Sequence, residues 1–85
     1  PQIDSTGVHF EHIAREWRCK WSEDNDKSSL QAAQGVLEKH LATVKAVEGV
    51  VSVQRVVCGD CFDFKIITKL GADDFTAWEA VEYLV

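Results

Sequence analysis

A chain of 85 residues with 46% apolar side chains is long enough for one small core and too apolar for a disordered segment. Its net charge of −5, from 14 acidic and 9 basic residues with no Lys/Arg cluster, argues against a nucleic-acid partner, because phosphate binding needs a basic footprint. No apolar run approaches the roughly 20 residues of a membrane span, and no signal-peptide pattern is present, so a soluble protein is expected. An odd number of cysteines points to reduced thiols in an intracellular, reducing compartment, with a Cys58–Cys61 disulfide as the alternative. The chain opens on Pro1, contains no Met and stops on what reads as an unfinished helix, which suggests processing or a fragment of something longer.

Pro1 to Gly7 carries no periodicity and reads as an N-terminal arm, followed by a single domain over residues 8–85. From Val8 to Trp21 the residues favour a strand, most plainly Glu16 to Trp21, where Trp17, Cys19 and Trp21 alternate with Glu16, Arg18 and Lys20. Arg15 interrupts the apolar row that begins at Ile13, which suggests a later start to the strand or a bulge. Ser22 to Asp26 is a polar turn with N-cap candidates. A helix is expected from about Lys27 to Val47, with Leu30, Ala33, Leu37, Leu41, Val44 and Val47 on one stripe and Gly49 ending it.

Two β-rich runs then meet at Gly59-Asp60, which suits a two-residue type II′ hairpin with Gly59 at positive φ. That register sets Val57 opposite Phe62, Arg55 opposite Phe64 and Val53 opposite Ile66. Asp73 or Asp74 caps a second helix bearing Phe75, Trp78, Val81 and Leu84. The order β-α-β-β-α predicts an α+β fold of the ferredoxin-like kind, an antiparallel sheet with two helices on one face and its final strand missing or supplied elsewhere. The covered face would carry Trp17, Cys19, Trp21, Val53, Val57, Phe62, Phe64 and Ile66. The other face would carry Glu16, Arg18, Lys20, Gln54, Asp63 and Lys65.

In element order, and in the strand, Gly-Asp turn and apolar return strand from Val53 to Lys65, the chain resembles the dimeric α/β-barrel superfamily. That group includes stress-responsive A/B-barrel proteins, small cofactor-free monooxygenases and the ligand-sensing domains of Lrp-type regulators. The resemblance implies two sheets packed face to face, so that the polar sheet face is the place of assembly or ligand binding. No catalytic motif of these families falls on residues of this chain, and no cofactor is implied.

Three functions compete. The first is a non-catalytic module that works through assembly, as a homo-oligomer or as a subunit of a larger complex, using its open sheet face and edge. The second is a small cofactor-free enzyme or a binder of a small-molecule ligand with its site among Glu16, Arg18, Lys20, Gln54, Asp63 and Lys65, where a carboxylate could act as base and an Arg could stabilise an anion. The third is a thiol redox or metal module at Cys58 and Cys61. Redox CxxC motifs lie at a helix N-terminus that lowers the thiol pKa, whereas strands flank this one, and zinc needs about four ligands where one CxxC supplies two. The first reading is preferred, no residue is assigned as catalytic and no metal ligand set is assigned.

Overall fold

A computed structural model describes residues 1–84. The elements are β1 (His12–Lys20), α1 (Asp24–Lys45), β2 (Val50–Val57), β3 (Asp63–Gly71) and α2 (Ala72–Ala80). The three strands form one antiparallel sheet in the order β1-β3-β2, so β3 is paired on both edges. The architecture is therefore α+β, with a three-stranded antiparallel sheet and two helices. Residues 1–10 fold back on themselves, with Gln2 bridged to His9 and the Phe10 N–H donating to the Pro1 carbonyl.

β1 pairs with β3 without a bulge from His12↔Gly71 to Lys20↔Asp63. The interruption expected at Arg15 is absent; the strand runs straight through it, opposite Thr68. On β2 the pairs are Val57↔Phe64, Arg55↔Ile66 and Val53↔Thr68, with an irregularity between Val50 and Ser52. The hairpin is thus two residues longer than the two-residue turn expected from Gly59-Asp60. The Cys58 N–H donates to the Asp63 carbonyl and closes a loop of Gly59 to Phe62. Gly59 does not take the positive φ that a II′ turn requires; the left-handed residue is Phe62, at φ 59°. A shift of two leaves every side chain on its expected face, because strand side chains alternate with period two.

The reason for the longer loop lies in Phe62. Released from pairing with Val57, its ring meets Trp21 edge-on at 5.1 Å, and the Trp21 N–H donates to the Phe62 carbonyl. Trp21 is buried there, its indole N–H directed at the Asp63 carbonyl 3.3 Å away.

The core sits at the other end of the sheet. Leu70, fully buried, packs with Phe75 and Trp78 of α2, and Ile13, Trp17, Val47, Val50 and Tyr83 close around them. α2 follows β3 directly, with Gly71 as its N-cap and Asp73 and Asp74 in its first turn, where carboxylates complement the helix dipole. The expected apolar stripe on α2 stops at Trp78. Val81 and Leu84 are exposed, because Glu82 and Tyr83 adopt left-handed backbone and turn the chain back. Tyr83 takes their place in the core, edge-on to Trp78 at 5.2 Å and to Phe75 at 5.9 Å.

α1 is attached more loosely. Asn25, Asp26 and Lys27 are left-handed, so its regular part begins after Lys27, and not one of its residues is fully buried. Leu30, Ala33, Leu37, Leu41 and Val44 are half-exposed along the expected stripe. For the same reason Cys19 and Val57, expected in the core, are exposed.

Gly49 makes the turn from α1 into β2 at φ 86°, and a Cβ there would collide with the Asp74 side chain. Replacing Gly49 with Ala therefore adds both a disfavoured backbone angle and a clash with Asp74 of α2. The expected loss is about 1–3 kcal/mol, measured by urea denaturation. Gly35, which has open space around it on α1, should instead gain a few tenths to about 1 kcal/mol on the same substitution.

Candidate functional site

The register carries the six polar residues onto one sheet face. Glu16 and Gln54 flank Ile67 of the central strand, Arg18 and Val56 flank Lys65, and Lys20 lies opposite Asp63. Even-numbered β1 residues and odd-numbered β3 residues share this face, which neither helix covers. Its charges are paired within the chain: Glu16 lies 4.0 Å from Arg18 and 3.9 Å from Lys65. Both pairs are solvated, and such pairs are worth about 0–1 kcal/mol each.

Lys20 and Asp63 differ from these. The Lys20 ammonium stands 2.8 Å from Oδ1 of Asp63 and donates a 2.8 Å hydrogen bond to the Cys61 carbonyl. Asp63 is nearly buried, at 8% exposure, although Lys20 is well solvated. The Lys20 contact acts on Asp63 first as a hydrogen bond and second through its charge. It holds the Asp63 carboxyl below the usual carboxylate range, against the opposing effect of burial and with smaller help from Arg18 and Lys65. Lys20 thus ties β1 to the hairpin loop.

Cys58 and Cys61 close that loop as a disulfide, with 5.6 Å between their Cα atoms. The pair of reduced thiols expected from the odd cysteine count is replaced here by the alternative, with Cys19 left free. Strands flank the motif on both sides, so no helix N-terminus faces either sulfur. Among the described residues no group of three or more His, Cys, Asp or Glu side chains is gathered as a metal site, and no helix is long and apolar enough to cross a membrane.

A second site lies on the opposite face, where the sequence pointed only to core. Between α1, β1, β3 and the C-terminal turn is a cleft of about 660 Å³, with an apolar wall that includes Trp17, Leu37, Phe64 and Ile66. It exists because α1 stands off the sheet along its half-exposed stripe. The polar groups on its wall are Arg15, Arg18, His40 and Glu82. The Arg15 guanidinium lies 3.8 Å from the centre of the Tyr83 ring and 5.4 Å from that of Trp17, a cation held by aromatic faces. Its Nε is buried without a hydrogen-bond partner, and so is Oγ1 of Thr68, the residue directly opposite on β3. The available signal was the single Arg in the row Ile13, Arg15, Trp17, Cys19.

Comparison of the chain with protein-family models, with curated proteins and with solved structures gives no match.

Because the Asp63 carboxyl is held low in the folded chain, its contribution to stability is present above about pH 4, the unfolded value, and is lost as pH falls through the lower folded value. Asp63→Asn should therefore be less stable than the parent near pH 7, with the gap closing as pH falls below about 4. Urea midpoints across that range check it; a gap that stays constant with pH would remove Lys20 as the cause.

Proposed function

We propose that the chain is a non-catalytic assembly module that associates with a second copy of itself through the outer edge of β1. The observation that carries this reading is the edge itself: nine residues of regular strand, paired on one side by β3 and without a partner on the other among the described residues. An unpaired edge of that length presents a row of backbone donors and acceptors to another strand. The sheet order, with β3 between β1 and β2, supports the ferredoxin-like reading, in which a further strand follows the second helix. In the fold that the resemblance implies, the place beside β1 is the one that this strand fills.

A two-fold axis at Trp17 makes the edge complementary to itself. Antiparallel pairing about that residue sets Glu16 opposite Arg18 of the partner subunit, and the symmetry repeats the pair. The internal pairing of Glu16, Arg18, Lys65, Lys20 and Asp63 supports the same reading, since a face on which each carboxylate already has a cation tolerates a neighbour at lower cost than one with an isolated charge. Arrangement of these groups for proton transfer has less support, because Lys20 keeps Asp63 ionised and thereby a weak base.

Analytical ultracentrifugation at micromolar concentration should give a dimer. Glu16→Arg and Arg18→Glu alone each set like charges against each other across the axis and should raise the dissociation constant about tenfold, while the double exchange restores it. A parent chain that sediments as a monomer would overturn the reading. A dimer indifferent to all three variants would move the contact away from the β1 edge.

A further inference from the structure

The cleft beneath α1 shares Trp17 and Arg18 with that strand but lies on the helix-covered face, and its chemistry is specific. An apolar cavity of about 660 Å³ lies within the range of small-molecule sites, which combine apolar walls with a few polar groups. Arg15 is half-exposed on this wall, and a cation beside apolar surface is compensated best by an anion that reaches it from the open side. Among the described residues no carboxylate lies within ion-pair distance of Arg15, and its Nε–H is buried without an acceptor. Tyr83 and Trp17 flank the guanidinium without neutralising its charge.

We propose that this cleft binds a small organic carboxylate with an aromatic or branched apolar body. Arg15 receives the carboxylate, as a guanidinium is suited to do in two-point geometry. Trp17, Leu37, Phe64 and Ile66 offer the apolar surface on which the body lies. An apolar molecule without the acid would leave Arg15 as exposed to the cost of burial as before, so the acid is the discriminating group. Arg18 and Glu82, also on the wall, offset each other in charge, so Arg15 sets a preference for one negative charge. The half-exposed stripe of α1 gives the body a surface to cover, which binding would bury.

The test is titration of the ¹⁵N-labelled full chain at neutral pH with indole-3-acetate and with 4-methylpentanoate, each beside its neutral primary amide. At least one acid should bind saturably, at least tenfold more tightly than its amide, and shift the Arg15 Nε–H resonance. Arg15→Met should abolish the preference for acid over amide, and Ala33→Trp, which fills the α1 wall, should weaken acid and amide alike. If Arg15→Met does not fold, the Arg15 Nε–H shift in the parent chain decides. Equal binding of acid and amide, an unmoved Arg15 resonance, or no saturable binding of either acid at millimolar concentration would overturn the proposal. None of these readouts depends on the oligomeric state, so failure here leaves the β1 contact standing.

Discussion

Pairing of β3 on both of its edges is the constraint on which the rest of this small structure depends. Its residues Phe64, Ile66, Thr68 and Leu70 point to one face and Asp63, Lys65, Ile67 and Lys69 to the other, and the neighbouring strands inherit that division through their registers. Once Leu70 is buried against Phe75 and Trp78, Trp17 must stand beneath α2 and Glu16 and Arg18 must face away. A slip of one residue would exchange the faces; the two-residue difference at the hairpin loop changes none of them.

The two ends of the covered face are then stabilised by different means. Near Leu70 the sheet is closed by a cluster of aromatic rings from β1, α2 and the C-terminal turn, in edge-on contacts that add to burial. Near Phe64 there is no such cover. Trp21 and Phe62 pack on each other, and Lys20 and the disulfide secure the loop from outside. Between the two ends α1 spans the sheet with few close approaches, one being the 2.7 Å hydrogen bond from Arg55 to Gln34. The cleft is the space left where an amphipathic helix meets a sheet whose aromatic mass is concentrated at one end.

Element order, the faces of the strands and the gathering of Glu16, Arg18, Lys20, Gln54, Asp63 and Lys65 were legible because they depend on local alternation, which the residues state directly. The hairpin loop was not, since Gly59-Asp60 satisfies a local turn rule and the competing gain, Phe62 on Trp21, comes from a residue 41 positions away. Tyr83 was missed for a similar reason: helical spacing at Val81 and Leu84 says nothing of a chain reversal that returns an aromatic to its own helix. Arg15 was visible as an irregularity but not as a site. Periodicity marks the residue that breaks a pattern, whereas the rings that enclose it come from β1 and from the far end of the chain.

Both proposed contacts converge on β1. Glu16 and Arg18 belong to the edge pairing, and Arg15, Trp17 and Arg18 line the cleft. α1 rests chiefly on β2 and β3, so pairing at the outer edge of β1 leaves the distance between Arg15 and the α1 wall to α1 itself. The weakly held α1, with no buried residue, is the element whose position a ligand in the cleft would bias.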